Sequence, residues 1–310
     1  GLMPGWRLVA DVGGTNVRFA RAYPDGRIDE IERWRTTPTE DFPAVLGRYL
    51  AGSGGSGGCA GAMIGAAGPV ESGAIALTNS PWVIRETEVS AQLAGAPVRL
   101  LNDLEGIALA LPVLEADDIV VLGPVSAPEH RHAMLAINVG TGFGAAAVLP
   151  QDGGWTSVPG EAGHASLDAH IAVRLGLDPA TASIEDVLSG PGVLRIWQAL
   201  TGRPPAPGDT AASILARAGT DPEARMVADE LSEILGRIAG DLALTLAAWG
   251  GVFFCGGVIT GWMPQADPIR FRSAFEAKGK MTGRMQRLFT GRISRSEVAL
   301  AGLARARFGT

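Results

Sequence analysis

The sequence predicts an α/β protein, in which short buried strands alternate with helices. Apolar runs rich in valine, isoleucine and phenylalanine recur along the chain and are typical of buried strands. Longer segments with helical spacing lie between them. A polar residue and a glycine-rich turn follow two of the strands in the same way, which suggests two related halves.

Length and composition limit the number of domains and the kinds of partner that the chain can have. The chain has 310 residues, of which 46% are hydrophobic and 19% charged, so it can bury a sizeable core and should form two domains or one large one. With 32 acidic and 26 basic residues the net charge is −6, and the lysines are Lys278 and Lys280. This balance argues against nucleic-acid and membrane-surface partners.

Cysteine content and hydropathy predict the compartment. Two cysteines exclude a disulfide scaffold and a four-cysteine zinc site. The most apolar long stretch, 234–258, contains Arg237, Asp241 and several glycines, so it is too interrupted to span a bilayer. The start GLMPGW lacks the pattern of a signal peptide. A cytoplasmic protein is therefore expected.

The elements follow in order from apolar patterning and punctuation. β-Branched and apolar runs predict strands at 6–12, 17–23, 62–67, 74–78, 98–102, 118–123, 133–139, 144–149 and 252–256. Helical spacing predicts helices at 39–51, 87–93, 104–111, 168–175, 184–188, 191–200, 209–218, 222–249, 268–278 and 297–307. The long helix is marked by Asp221 as N-cap and Pro222 in its first turn. The glycine- and serine-rich segment 51–61 predicts a loop.

Two glycine-rich turns are candidate phosphate-binding sites. Asp11 opens the turn after the first strand and Asn138 the turn after the strand at 133–139. Successive backbone N–H groups in such turns can surround an anion, and a threonine adds a hydroxyl donor. An ordinary hairpin turn is the alternative. Neither lysine precedes a serine or threonine, which excludes a Walker A loop.

Two other motifs are weaker. Gly140, Gly142 and Ala145 fit the dinucleotide pattern G-x-G-x-x-A, but the residues that follow are typical of a strand and not of the helix that this pattern needs. Residues 54–58 fit the hydrolase pattern G-x-S-x-G, but glycine and serine flank it on both sides. Dinucleotide binding and hydrolysis are therefore both disfavoured.

Several polar residues are suited to a sugar or a metal. Asn102 and Asp103 lie at a strand end, where ligands bind in α/β sheets, although either could simply cap the next helix. Glu161 and His164 lie in one loop and together could bind hydroxyl groups, whereas zinc is poorly supported. Glu185 could bind a hydroxyl or simply stabilise a helix start. Asp11 could cap its turn or lie beside Mg²⁺ through water.

Six motifs in this order resemble the bacterial glucokinase family: DVGGTN at 11–16, LND at 101–103, VGTGFG at 139–144, PGEAGH at 159–164, EDVLSGPG at 185–192 and GGVFFCGGV at 250–258. The resemblance implies a two-lobed actin/hexokinase-like (ribonuclease H-like) ATPase fold with the active-site cleft between the lobes. It implies a small α/β lobe at 1–113, completed by the C-terminal helix at 297–310, and a large α/β lobe at 114–296.

The resemblance also implies the site residues. The residues expected to bind ATP are Ala10, Asp11, Val12, Gly13, Gly14, Thr15, Asn16, Gly140, Thr141, Gly142, Gly256 and Gly257. Those expected to bind glucose are Asn79, Asn102, Asp103, Glu161, His164 and Glu185. Asp103 corresponds to the catalytic base, and Asp11 to a residue that lies near Mg²⁺ through water.

The implied activity is phosphorylation of D-glucose to glucose 6-phosphate, a step of glycolysis, with ATP and Mg²⁺, by a cytoplasmic homodimer. A kinase for another hexose or aminosugar, or a non-catalytic sugar-binding regulator, is the alternative. The chain departs from the family in three places, one of which is the segment ASLDAH after His164, where a longer aromatic and acidic stretch is usual. Ala162 stands where glycine is usual, and would be strained if its φ were positive. The C-terminal helix lacks a preceding Pro-Gly.

Overall fold

A computed structural model describes residues 5–308. Its strands are β1 Trp6–Val12, β2 Asn16–Ala22, β3 Ile28–Arg35, β4 Cys59–Ala66, β5 Val70–Glu71, β6 Ala74–Ala76, β7 Val83–Arg85, β8 Val98–Asn102, β9 Ile119–Val121, β10 Met134–Val139, β11 Phe143–Gln151, β12 Gly154–Gly160, β13 Gly251–Cys255 and β14 Thr290–Ile293. Its helices are α1 Phe42–Gly52, α2 Glu86–Gln92, α3 Asp103–Ala110, α4 Ala169–Arg174, α5 Gly190–Thr201, α6 Ala211–Ala216, α7 Pro222–Thr245, α8 Gly257–Trp262, α9 Pro268–Glu276, α10 Thr282–Met285 and α11 Val298–Arg305.

The chain divides into two compact units. The first contains residues 1–113, 151–157 and 296–310, and the second contains 114–150 and 158–295. Residues 1–4 and 309–310, which include the start of the sequence and the end of the predicted C-terminal helix, lie outside the described residues.

The first unit is built on a five-stranded sheet in the order β3-β2-β1-β4-β8. β1 pairs antiparallel with β2 and parallel with β4, and β4 pairs parallel with β8. α1 packs aromatic side chains on this sheet, where Tyr49 stacks on Phe19 at a ring distance of 4.8 Å. α11 packs against α3, β1 and β4. Helices thus cover the central strand β1, whose residues Leu8, Val9 and Ala10 are fully buried.

The second sheet has six strands in the order β12-β11-β10-β13-β14-β9. β10 pairs antiparallel with β11 and parallel with β13, and β13 pairs parallel with β14. α7 begins as the sequence predicts, since the Asp221 side chain accepts hydrogen bonds from the backbone N–H groups of Glu223 and Ala224. The helix packs against α9 and α5. Phe271 of α9 meets Phe254 of β13 edge to face at 5.6 Å.

The two sheets repeat one local arrangement. In each, a central strand (β1 or β10) forms a hairpin with the strand that follows it and a parallel pair with a later strand. Each hairpin is closed by one of the two glycine-rich turns. The α/β fold class and the prediction of two related halves are therefore confirmed.

Some predicted elements are wrong or displaced. Residues 184–188 form turns, not a helix, and α7 ends at Thr245, not at 249. The long helix stops because Ala247 adopts a left-handed φ of 47°. The G-x-S-x-G segment follows a helix and precedes a strand, the reverse of the order that a hydrolase needs. Within residues 5–308, no helix is long and apolar enough to cross a membrane.

Candidate active site

The first glycine-rich turn joins β1 to β2. The backbone N–H of Gly13 donates to the carbonyl of Asn16 at 2.8 Å, and the backbone N–H of Thr36 donates to the carbonyl of Thr15 at 2.8 Å. Thr36 also donates its hydroxyl to the carbonyl of Gly13 at 3.1 Å. These bonds occupy carbonyls of the turn. Ala10 and Val12 are buried in the strand, whereas the side chains of Thr15 and Asn16 are exposed.

Asp11 lies at a cavity of about 280 Å³. All of its lining belongs to the first unit: Asp11, Val12, Gly13, Thr15, Asn16, Arg18, Asp103, Ile107 and Ala299. Burial, together with the nearby charge of Asp103, raises the pKa of Asp11 to about 6, although Arg18 acts in the opposite direction. Arg18 lies opposite Asp11 in the hairpin, 3.6 Å from its carboxylate. A cation near Asp11 would relieve this concentration of negative charge.

Asp103 is held by the start of α3. Asn102 caps the helix, since its Oδ1 accepts from Leu104 N at 3.0 Å, and Glu105 accepts from the backbone N–H of Asn102 at 2.9 Å. The buried Glu105 also accepts from the Ser157 hydroxyl at 2.9 Å. The helix cap that the sequence left open as an alternative is therefore present at Asn102. It fixes the backbone that carries Asp103.

Asn79 belongs to the first unit as well. It lies in an exposed turn next to Gly14, where a Cβ built on Gly14 would be 3.1 Å from the Asn79 Cβ. Thr78 fixes the turn by donating its backbone N–H to Ala67 O at 2.9 Å. The first unit thus brings Asn79 beside the glycine turn that follows Asp11.

The second glycine-rich turn joins β10 to β11 in the second unit. The backbone N–H of Gly140 donates to Gly142 O at 3.0 Å, and Gly190 N donates to Gly140 O at 2.7 Å. Glu185 accepts from Phe143 N at 2.9 Å. The Thr141 side chain is exposed at the tip of the turn. Because β11 follows this turn, the dinucleotide reading of residues 140–145 is excluded.

The loop with Glu161 and His164 reaches the same region of the second unit. Residues 162–164 form a single 3₁₀ turn, in which His164 N donates to Glu161 O at 3.0 Å. Gly163 accepts from the backbone N–H of Glu185 at 2.9 Å. Ala162 is not among the described residues with positive φ, so it does not carry the strain that a positive φ would cause. The structure therefore brings Glu161, His164 and Glu185 together, with Glu161 and His164 exposed.

Gly256 and Gly257 connect β13 to α8. Gly256 has a φ of 102°, and a Cβ there would lie 2.4 Å from Val139 O, so glycine is required. A Cβ on Gly257 would meet nothing within 4 Å among the described residues, which leaves open space above this turn. A Cβ on Gly140 would lie 3.7 Å from Gly257 N, so the two glycine turns of this unit are neighbours.

Sequence reasoning missed two groups of residues. Arg18 could have been found, because a hairpin closed between residues 12 and 17 puts it opposite Asp11. Glu105 also carries a signal, as the third residue of a helix that begins after an asparagine cap. Ser157 and Glu297 carry none, since they reach the site from strands and helices distant in sequence.

The residues around Asp11 fit magnesium better than zinc. Among residues 5–308, no group of three or more His, Cys, Asp or Glu side chains could hold a metal ion. Mg²⁺ needs fewer protein ligands, because it keeps several waters and binds substrate phosphates. Asp11, beside Asp103 and a turn of backbone N–H groups, supplies the oxygen donor that such an ion prefers.

Comparisons with known proteins show the family of the chain. A family model described as Glucokinase matches residues 8–308. A glucokinase of Colwellia psychrerythraea is 32% identical over 315 residues, covering 96% of this chain and 94% of the relative. A glucokinase of Mesorhizobium japonicum is 33% identical over 314 residues, covering 96% of this chain and 90% of the relative.

Solved structures show the same fold. The crystal structure of a glucokinase from an Antarctic psychrotroph is similar with a TM-score of 0.83 and 26% identity, covering 98% of both chains. A ROK family glucokinase from Streptomyces griseus, solved with glucose and AMPPNP, has a TM-score of 0.62 and 21% identity, covering 97% of this chain and 98% of the other. The actin/hexokinase-like fold is thereby confirmed. The chain belongs to the glucokinase family, enzymes that phosphorylate glucose with ATP.

Proposed function

We propose that the enzyme transfers the γ-phosphoryl group of ATP to the 6-hydroxyl of glucose, with Asp103 as the general base. The observation that carries the proposal is that one cavity of the first unit is lined both by the proposed base and by a glycine-rich turn. Asp103 lines it together with Asp11 and the turn of Gly13, Thr15 and Asn16. A carboxylate beside a phosphate-binding turn is the arrangement needed to orient a hydroxyl toward phosphorus.

Asp103 would act by position first and by basicity second. Its carboxylate accepts the hydrogen bond of the 6-hydroxyl and takes the proton as the bond to phosphorus forms. In a loose transition state this transfer comes late, so orientation contributes more than proton abstraction. The capped start of α3, fixed by Asn102 and Glu105, keeps Asp103 in place for this role.

The remaining hydroxyls would be bound by the other polar residues. In the second unit Glu161 and Glu185 would accept hydrogen bonds from the sugar, and the imidazole of His164 would supply a further hydrogen-bonding group. In the first unit Asn79 and Asn102 supply amide groups. Asn102 already donates to Gly68 O at 3.2 Å and accepts from Leu104 N, but its amide retains a second N–H and a second lone pair.

The nucleotide would be bound by backbone groups. The proposed phosphate contacts are the turns at Gly13–Asn16 and Gly140–Gly142, and the adenosine would lie on Gly256 and Gly257. Asp11 would hold Mg²⁺ through water. When bound, Mg²⁺ offsets the charge that develops on the phosphoryl oxygens.

We further propose that the two compact units correspond to the small and large lobes of the family. The assembly expected from the family is a homodimer. A cytoplasmic location is consistent with Cys59 and Cys255, which form no disulfide in the described part of the chain.

A coupled assay for sugar phosphate tests the activity. The enzyme would be given MgATP and, in turn, glucose, mannose, fructose and N-acetylated hexosamines. Turnover with glucose well above the other sugars is the expected result. Preferential turnover of another sugar would reassign the substrate. Absence of turnover, with glucose still raising the Tm, would point to a sugar-binding protein without kinase chemistry.

A further inference from the structure

Glu297 adopts a backbone conformation that glycine would occupy at lower cost. It is the residue before α11 and has φ 56° and ψ 27°, in the left-handed region. A non-glycine residue there is strained by about 1–2 kcal/mol. Such strain persists where the side chain or its surroundings compensate for it, so an observed outlier prompts a search for a role of the side chain.

The Glu297 side chain does not stabilise the helix that it precedes. Within residues 5–308, it makes no capping hydrogen bond to a backbone N–H of α11. Its Oε2 instead lies 3.3 Å from Nε of Arg18. Neither of these two buried atoms has a hydrogen-bond partner of good geometry among the described residues. The attraction between Arg18 and Glu297 is therefore electrostatic and does not include a well-formed hydrogen bond.

Arg18 is shared between two carboxylates. Its Nη1 lies 3.6 Å from Oδ2 of Asp11, while its Nε faces Glu297. The side chains of Arg18 and Glu297 are each 32% exposed and that of Asp11 is 22% exposed, so water screens these charges only in part. Arg18, Asp11 and Asp103 all line the cavity of the first unit.

Removal of the Glu297 charge would change the geometry of the ion pair between Arg18 and Asp11. A guanidinium prefers a bidentate pair with one carboxylate, in which both oxygens are occupied. The present geometry falls short of that, because Glu297 attracts the other edge of the guanidinium. Without this attraction, Arg18 would pair with both oxygens of Asp11 and compete with a cation.

We propose that Glu297 is a positioning residue that holds Arg18 partly away from Asp11 and so keeps the Asp11 carboxylate accessible to the Mg²⁺ of MgATP. The inference rests on the proposed function, since it takes the cavity as the site of the ATP phosphates. A purely structural ion pair is the alternative, and it would affect stability without changing the dependence of nucleotide binding on Mg²⁺.

Calorimetric titration with ATP, in the absence of glucose, separates the two. The quantity measured is the ratio of the Kd for ATP in excess chelator to the Kd for ATP in excess Mg²⁺. Glu297→Gln keeps the size of the side chain and removes its charge, and Glu297→Gly also removes the backbone strain. Both should lower the ratio by about threefold, on the scale of a partly exposed ion pair. Glu297→Gly should have a Tm at least as high as that of Glu297→Gln.

Two further variants locate the effect. Glu40→Gln removes a carboxylate that pairs with Arg48 on the first unit and lies outside the cavity lining, so it should leave the ratio unchanged. In an Arg18→Ala background, Glu297→Gln should have little additional effect, because the proposed role acts through Arg18. A wild-type ratio in folded Glu297→Gln, or an equal drop with and without Arg18, would overturn the proposal.

Phosphorylation of glucose by the wild-type enzyme is measured in parallel. Turnover together with an unchanged ratio in Glu297→Gln contradicts the role of Glu297 and leaves the kinase intact. Absence of turnover contradicts the proposed function, while the binding ratio still decides the role of Glu297.

Discussion

At the scale of a single residue, ionisation of Asp11 lowers the stability of the folded chain. An aspartate in an unfolded chain ionises near pH 4, whereas burial and the charge of Asp103 raise the pKa of Asp11 in the folded chain to about 6. Between these values the folded chain binds the proton more tightly than the unfolded chain. The free energy of unfolding therefore decreases as the pH rises through this interval, and the loss is complete above pH 6.

Asp11→Asn should consequently stabilise the enzyme when metal and nucleotide are absent. The Tm at pH 8 should rise by about 2–5 °C, and the gain should shrink at pH 5, where wild-type Asp11 is largely protonated. Differential scanning calorimetry at the two pH values measures both. Asp25→Asn, in an exposed turn where Asp25 accepts from Arg27 N, is the matched control. A pH-independent loss of stability in Asp11→Asn would contradict this account of Asp11.

Glu185 has one observed contact, with Phe143 N, and one proposed role in sugar binding, and a single substitution can separate them. Glu185→Gln retains an oxygen that can accept the Phe143 N–H, so the turn should remain intact. The charge that would bind a sugar hydroxyl is lost. We expect the KM for glucose to rise by about tenfold, the scale of a hydrogen bond to a charged group, with a smaller effect on kcat. Steady-state kinetics with varied glucose measures this, and an unchanged KM would make Glu185 purely structural.

Residues of the candidate site were predictable where a local rule acts on them. The two glycine turns, Asp103 at a strand end and the loop of Glu161 and His164 all carry signals within a few neighbouring residues. Glu297 carries no such signal, because its partner Arg18 comes from the other end of the chain. Its left-handed backbone could not be expected either, because glutamate is not among the residues enriched in this conformation.

At the scale of elements, α3 and α11 meet at a pair of glycines. A Cβ on Gly302 of α11 would lie 1.7 Å from the carbonyl oxygen of Gly106 in α3. The two helices can therefore approach this closely only while residue 302 lacks a side chain. Since α3 begins at Asp103, the separation of these helices also determines where the proposed base lies.

Gly302→Ala should therefore reduce both stability and activity. Overpacking of this kind costs about 1–3 kcal/mol, and the Tm should fall by several degrees. The kcat should fall because α3 is displaced. Gly283→Ala in α10 is the control, since a Cβ there would meet nothing within 4 Å among the described residues. Equal Tm values for Gly302→Ala and the wild-type enzyme would contradict the close contact.

Predictability differed between elements for physical reasons. Buried central strands such as β1, β10 and β13 were found because their apolar runs are continuous. β3 was missed because it is an edge strand whose charged residues, such as Glu32 and Arg33, mask the alternation. Residues 184–188 were assigned to a helix from a short apolar pattern. They form turns instead, in which Glu185 donates its backbone N–H to Gly163 O and accepts with its carboxylate from Phe143 N.

At the scale of the whole molecule, the repeated hairpin and parallel strand explain why a weak internal similarity in sequence was informative. Each half needs a buried strand, a tight turn and a second strand to present backbone N–H groups. The two hairpins therefore share a pattern of residue types around Asp11 and Asn138 more than they share identical residues. The two compact units could be expected from chain length, whereas the inclusion of 151–157 in the first unit could not.

The proposed homodimer is testable on the intact protein. Light scattering coupled to size exclusion should give twice the mass of the chain across a dilution series. The support is the family resemblance alone. A constant monomer mass at working concentrations would contradict the proposal without affecting the proposed chemistry.

The measurement that tests the central claim most directly is the kinetics and glucose binding of Asp103→Asn beside the control Asp25→Asn. Asparagine preserves the shape of the side chain but cannot accept the proton. The account predicts that kcat falls by about 10²–10⁴, while glucose binding, measured by calorimetry, stays within a few-fold of that of the wild-type enzyme. Retention of most of the kcat in folded Asp103→Asn would contradict the assignment of Asp103 as the base.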